Sequence, residues 1–469
     1  MAEMRRLWAR PVVAAEWDEE YEERSAQWWE LFVDLVYVAA VTNVADGLKD
    51  ALEAGPRGHG ATGFEAAVDF ASQFTLFFTG WLDYTVFETR FIDTSLTHSV
   101  MLFFYLLATS EMVANAGSLA STQDFVSAAI FQRMALMCLS LSVYVLLPRG
   151  RRQAMVDMLH LVPGVIVLGL CLLCGASQTV LRVFVTLLAL FELSFPLEAH
   201  IFNLLSRKGV PINIDHFQDR LGCFVMLVLG ESVVSSVITE HQIEKKPPGF
   251  DTGMALSLAM TFSIALVYYA IVPPRLLNAL RRSAFAGIGL VFAHWALGLA
   301  LLGMGVGVKL IMAVLCNPTE SALAPRAHWL LFVSLGVAMG AMMVMRMLHY
   351  WGRHPAPSDP LHIRRAKYVW WSGLALSMPL PWIVAAVTLG QHPEGVGALA
   401  ALGQAVACIL GFVLFETCIV HWLRAQGFGI LNATPAQESS GSHAADAAIM
   451  TRVPGSHEST PLLDSLSSV

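Results

Sequence analysis

Glu30, Asp34 and Tyr37 stand at i, i+4 and i+7 in Trp28-Trp-Glu30-Leu-Phe-Val-Asp34-Leu-Val-Tyr37-Val-Ala-Ala. A helix puts all three on one face. Two carboxylates in an apolar run cannot face lipid, where a charge at the centre of a span costs about 2.5–3.5 kcal/mol. That face must meet a cation, a basic residue or a water-filled cavity. The chemistry that suits it is the binding or relay of a proton or small ion.

A second constellation lies far along the chain, in His216-Phe-Gln-Asp219-Arg220-Leu-Gly222 and the following Leu229-Gly230-Glu231-Ser232. Arg220 and Glu231 are eleven positions apart, about 20° around a helix but three turns along it. They share a stripe yet cannot pair, so each needs a partner on another helix. Asp34 is the natural one for Arg220, with His216 and Asp219 as further charge partners. Intramembrane acids usually mark ion or substrate paths, which places Glu30, Asp34, Tyr37, Glu111 and Glu231 on the candidate path. Asp83, Glu192, His294 and Glu416 are secondary candidates, accompanied by Arg133, Arg182 and Arg346. The competing reading makes these residues structural pairs that fix helix register. For Glu192 and Glu416 the two readings balance, and for His294 a bond to a backbone carbonyl is the simpler one.

The elements that must position these residues follow from composition. The chain has 469 residues, 56% hydrophobic and only 14% charged, with mean hydropathy +0.59. A soluble domain carries about 25% charged residues, so the chain is a polytopic membrane protein rather than a soluble enzyme, a disordered chain or a disulfide scaffold. With a net charge of −7 and basic residues in short clusters, no nucleic-acid partner is expected. The seven cysteines lie in or beside apolar runs without zinc-site spacing. Cys171 and Cys174 read as packing thiols.

About twelve spans of membrane-crossing length are expected, near 28–47, 64–87, 99–118, 125–147, 155–175, 178–200, 216–238, 251–272, 284–307, 328–348, 368–390 and 396–422. With a cytoplasmic N-terminus, nineteen basic residues fall on the cytoplasmic side and six, Lys309 among them, on the other. That bias favours both termini inside. The organisation is then a cytoplasmic segment 1–27 without a cleavable signal peptide, a transmembrane domain 28–425 and a disordered cytoplasmic tail 426–469. Leu190-Phe-Glu192 and Leu414-Phe-Glu416 suggest two six-helix halves, 28–205 and 206–425. The fold class is all-α, a polytopic membrane helix bundle. In the tail, Glu458 with Leu462-Leu463 looks like an acidic dileucine sorting signal. The terminal Ser467-Ser-Val469 resembles a PDZ-domain ligand more weakly.

The segments around Glu30–Tyr37 and His216–Ser232 also carry a family resemblance. Glu30-Leu-Phe-Val-Asp34-Leu-Val-Tyr-Val-Ala-Ala resembles the opening signature of the low temperature requirement protein A family, and His216-Phe-Gln-Asp219-Arg220-Leu-Gly222 with Leu229-Gly230-Glu231 its second. Trp81-x-x-Tyr84-Thr85 with Glu88-Thr-Arg90-Phe91 is similar to the family's aromatic and basic stretch. Phe292-Ala-His294 is similar to its late histidine-bearing helix. Asp219 stands where the family has a glutamate, and Ile92 interrupts the usual Arg-Phe-Asp run. The resemblance implies a multi-pass membrane protein and names no substrate.

The expected function is a transporter or channel for a small ion or solute, using intramembrane carboxylates. The alternative is a non-transporting sensor, scaffold or trafficking protein acting through its termini, with adaptor or PDZ-type contacts. No cofactor is expected. No nucleophile elbow, zinc helix or phosphate-binding loop points to an enzyme. The bilayer is the expected environment, at the plasma membrane or an endosomal or lysosomal membrane, and protons or small ions are the expected partners.

Overall fold

The computed structural model describes residues 10–14, 27–54, 63–117, 122–197, 209–237, 247–273, 277–317, 322–350, 355 and 358–430. These residues form two compact units, Met1–Trp351 with Leu374–Val413, and Gly352–Gly373 with Leu414–Val469. The tail motif at Glu458, Leu462 and Leu463 lies outside the described residues.

The first half of the chain supplies α1 (Trp28–Ala54), α2 (Gly63–Arg90), α3 (Leu96–Ala114), α4 (Thr122–Leu146), α5 (Arg151–Leu173) and α6 (Gln178–Leu193). The second supplies α7 (Ile214–Val237), α8 (Phe250–Ile271), the short α9 (Ala279–Arg282), α10 (Ala284–Cys316), α11 (Pro325–Tyr350), α12 (Leu361–Ser377), α13 (Leu380–Gln391) and α14 (Ala398–Ala425). Among the described residues, the one paired sheet is Val12–Val13 antiparallel with Phe91–Ile92, Val12 opposite Ile92, and Leu323 forms an isolated bridge with Val396. Each expected span falls on helix over most of its described residues. Among the described residues, ten helices are long and apolar enough to cross a membrane, and the bent pair α12–α13, taken as one span, makes an eleventh.

Two differences from the expected spans have physical causes. The span expected at 368–390 is broken after Ser377 and bends by 48° between α12 and α13. Pro379 and Pro381 sit at that break, and proline cannot complete the backbone ladder there. The helix α2 carries Glu65, Asp69, Asp83, Glu88 and Arg90 and falls short of the apolar criterion, yet it traverses the bundle beside α1. Trp81 bonds Asp34. Nearer the other end of α1, Gln73 accepts from the backbone of Gly117, itself packed on Gly47. The pairing order runs backwards, so α2 is antiparallel to α1 over most of its length, with most of its charges near its two ends.

Pair order also fixes the relation of α1 to α7. Glu30 meets His216, Asp34 meets Arg220 and Thr42 meets Glu231, so the two helices run parallel and in register. Along α10, Gly298 faces Phe224, and Gly305 and Lys309 face Glu231, which makes α10 parallel to α7 as well. The core of the first unit is these three parallel helices with α2 antiparallel among them. Glycines form close-packing faces between the helices. A Cβ on Gly307 would lie 3.0 Å from Leu331, one on Gly303 2.6 Å from the Ser334 hydroxyl and one on Gly340 3.1 Å from Met378. The second unit has its own contacts, with Lys367 on Asp359 at 2.8 Å and the His362 ring edge-on to Trp422.

Candidate functional site

The polar residues of the first unit collect at three levels along α1 and α7. At the first level, near the N-terminal ends of both helices, Asp34 and Arg220 form a forked pair with both bonds at 2.8 Å. This is the pairing expected from sequence. Asp34 also accepts from the Trp81 indole at 3.0 Å, and the guanidinium lies 5.7 Å from the centre of that ring. One turn earlier, His216 Nε2 stands 3.0 Å from Glu30 Oε1, and Glu30 Oε2 accepts from the Gln27 backbone at 2.8 Å. The spacing of four on each helix makes this a ladder: two acids on α1 face two basic groups on α7. Charge-assisted forked bonds are the strong, directional kind.

The second level lies on the far side of α2. Arg133 grips Glu192 through two bonds of 3.0 and 2.7 Å, and Thr79 donates to the same carboxylate at 2.8 Å. The guanidinium also donates to the Gln132 side chain at 2.5 Å and to the Leu76 carbonyl at 3.2 Å. Gln132 in turn donates to Tyr37 and Thr109. The Tyr37 hydroxyl bonds that of Tyr105 at 2.6 Å, and Tyr105 donates to the Gly80 carbonyl. Tyr37 therefore joins α2, α3 and α4 rather than the carboxylate ladder. Arg133 and Glu192 are both 1% exposed and their bonds are saturated, the pattern of a structural lock.

At the third level Glu231, fully buried, accepts from three elements. Lys309 Nζ lies 2.6 Å from Glu231 Oε1 and 2.6 Å from Asp46 Oδ1. Thr42 donates to Glu231 at 2.5 Å and Ser235 at 2.9 Å. The Asp46 side chain is 48% exposed whereas that of Glu231 is 0%. One ammonium thus bridges a half-exposed acid to a buried one.

Between the first and third levels, eleven residues or about 16 Å along α7, the interior is aromatic. Phe224 lies 4.8 Å from Trp81 and 5.2 Å from Phe78, ring centre to centre, with Phe74 against its other side. Gly298 closes this layer from α10: a Cβ there would meet Phe74 at 2.8 Å and Phe224 at 2.9 Å. Charge is present on both sides of the layer, and the polar groups at its edge are the Trp81 indole on Asp34 and the Trp295 indole on the Thr75 hydroxyl at 3.0 Å.

Other candidates fall outside this column. Glu111 is exposed on α3 and does not join the path residues. His294 bonds the Leu290 carbonyl at 2.7 Å and the Tyr268 hydroxyl at 3.0 Å, which occupies both ring nitrogens and matches the simpler reading. Asp83 shares a cavity of about 20 Å³ with Asp157, room for one water, and Arg90 holds Asp157 at 3.1 Å. Asp219 lies beside Asp34 on an outward groove. Glu416 is partly exposed in the second unit. The seven cysteines are all free thiols.

Sequence reasoning missed Lys309, Asp46, Thr42 and Ser235. It placed Lys309 outside the membrane because the span was ended at 307, whereas α10 continues to Cys316. The signal was present: Leu310-Ile-Met-Ala-Val-Leu315 resumes the apolar run after the lysine. Among the described residues, no group of three or more His, Cys, Asp or Glu side chains has the arrangement of a metal site.

A family model described as the bacterial low temperature requirement A protein (LtrA) matches residues 25–415, which include all three levels. None of the curated proteins or solved structures compared with the chain matches it.

Proposed function

The chain belongs to the low temperature requirement A family and is a multi-pass integral membrane protein, and from that premise we propose that it moves a small cation, foremost the proton, across the bilayer. One observation carries this reading. Lys309 bridges half-exposed Asp46 to buried Glu231 at one end of a column whose other end holds the Asp34–Arg220 and Glu30–His216 pairs.

Each part of the column has a role in such transport. A proton taken up by Asp46 from water passes to Glu231 as the lysine shifts between the two acids. Protonating Glu231 removes its hold on Lys309, and Thr42 and Ser235 keep the neutral acid hydrogen-bonded. The aromatic layer of Phe74, Phe78 and Phe224 forms the barrier, which must part for Asp34 and Glu30 to receive the charge. A dry barrier between two charge stations gives alternating rather than continuous access. A structural purpose for all three levels would leave the half-exposed Asp46 unexplained, because fixing register does not require an acid in water.

The test is flux. The purified full-length protein is reconstituted in liposomes with a pH-reporting dye, and a potential is imposed with potassium and valinomycin. Wild type is expected to acidify the lumen, and Glu231→Gln or Asp34→Asn to slow acidification at least tenfold. Sodium and potassium gradients extend the test to other small cations. No wild-type flux of any of these ions, or unchanged flux in both variants, overturns the reading.

A further inference from the structure

Thr79, Asp83 and Arg90 stand at i, i+4 and i+11 on α2, so one face of that helix carries all three. On one side of Asp83, Thr79 donates to Glu192, which Arg133 grips. On the other, Arg90 holds Asp157 at 3.1 Å. Each of these ion pairs is neutral in itself, which leaves Asp83 as the odd carboxyl between them. Among the described residues, its Oδ2 is buried and has no hydrogen-bond partner.

The titratable groups that face Asp83 are otherwise engaged. They are the phenols of Tyr37 on α1 and Tyr105 on α3, Arg133 on α4, Asp157 on α5 and Glu192 on α6, with Arg90 on its own helix. The two phenols bond each other, and the two arginines are taken up by Glu192 and Asp157. His160 on α5 acts on Asp157 and Glu192, and its ring packs 4.4 Å from that of Phe195. A buried acid without a counter-ion is neutralised by a proton or by a bound cation.

The cavity beside Asp83 decides between the two. It measures about 20 Å³ and is lined by Asp83, Ser140 and Asp157 and by apolar side chains, Phe87, Leu136 and Leu161 among them. Asp157 Oδ1 already accepts from Arg90 at 3.1 Å and from Gln153 at 2.9 Å, and its Oδ2 lies 3.4 Å from Arg90. The Asp83 carboxyl and the Ser140 hydroxyl are then the oxygens left to offer, whereas hard metal cations take about six or more. A proton needs a single acceptor. One water fills the cavity, with Asp83, Ser140 and Asp157 as its polar partners.

We propose that Asp83 is a proton-binding site, its carboxyl holding the proton against one water shared with Ser140 and Asp157. The route to the aqueous side runs past Asp157, whose side chain is 15% exposed and lies less than two turns from the start of α5. On loading, an O–H bond forms at Asp83 as one breaks in the cavity water, which regains a proton from the aqueous side. The site lies apart from the column of Asp46, Glu231 and Asp34, so the two proposals stand or fall separately.

The experiment is infrared difference spectroscopy of the full chain in phosphatidylcholine nanodiscs, stepped in pH. A carboxylic-acid C=O band is expected that shifts in deuterium oxide and disappears on the alkaline step. Asp83→Asn is expected to remove it, while Glu231→Gln and Asp34→Asn retain it. Ser140→Ala, which takes away one partner of the water and leaves the acid in place, is expected to move the band without removing it, and keeps the test open if Asp83→Asn does not fold. Replacing potassium by sodium at fixed pH is expected to change nothing. The absence of such a band, a band unaffected by Asp83→Asn or by Ser140→Ala, or a band that sodium abolishes overturns the proposal.

Discussion

Replacing Asp34 by Asn removes the negative end of the forked pair with Arg220 while keeping nearly the same volume. The Arg220 side chain is 1% exposed and that of Asp34 13%, so the guanidinium is left charged where water cannot reach it. Breaking a buried pair at one partner costs about 3–5 kcal/mol. Partial access from the groove side places the expected loss near the lower figure, about 3 kcal/mol, more than a hundredfold in the unfolding equilibrium. The amide retains one acceptor oxygen, which still serves one of the two Arg220 bonds or the Trp81 indole, but not all three donors. The double variant Asp34→Leu with Arg220→Met removes both charges. Its expected cost is about 1 kcal/mol, set mainly by the Trp81 indole losing its acceptor. The assay is equilibrium unfolding of the purified protein in mixed micelles at rising dodecyl sulfate fraction, followed by tryptophan fluorescence. A single-variant loss below about 1 kcal/mol would show that the pair is hydrated and that burial has been misjudged. A double variant as unstable as the single would show that Arg220 is not the group that needs Asp34. Flux then separates structure from transport: a stable double variant with wild-type flux would remove this pair from the pathway.

Three further outcomes follow from the same geometry. Lys309→Met leaves Glu231 buried and charged without its ammonium, so a loss of about 3–5 kcal/mol is expected, and Glu231→Gln combined with Lys309→Met should recover most of it in the same unfolding assay. Gly298→Ala forces a methyl against the rings of Phe74 and Phe224, at 2.8 and 2.9 Å, with an expected cost of about 1–3 kcal/mol; a thermal midpoint equal to wild type would show that the aromatic layer is loosely packed. Glu111→Gln, on the exposed face of α3, is expected to change stability by less than about 0.5 kcal/mol and to leave flux unchanged, and reduced flux in that variant would return Glu111 to the pathway.

Much of the site could be read in the chain because lipid constrains it so strongly. A charge inside an apolar run has to be paired, so Glu30, Asp34, Arg220 and Glu231 stood out, and Asp34 was the natural candidate for Arg220, to which it is bonded. Where charges lay at span ends the reading weakened. Lys309 looked like a loop residue because hydropathy averaged over a window cannot tell a helix end from a lysine one turn further inside. Glu111 and Glu192 read alike as acids in spans, yet one is exposed and the other is held by Arg133. Helical periodicity gives the face of a residue relative to its own helix and says nothing of what that face meets.

Sequence alone determined the class of the protein, the positions of its helices and the need for buried charge to be neutralised, since each follows from hydropathy and from the energy of a charge in hydrocarbon. Tertiary structure decided which charges meet. Only the parallel register of α1 and α7 sets Glu30 on His216 and Asp34 on Arg220. Only the approach of α10 brings Lys309 between a half-exposed and a buried carboxylate. Those are contacts between residues 78 to 263 positions apart, fixed by how helices pack and not by any local pattern of residues.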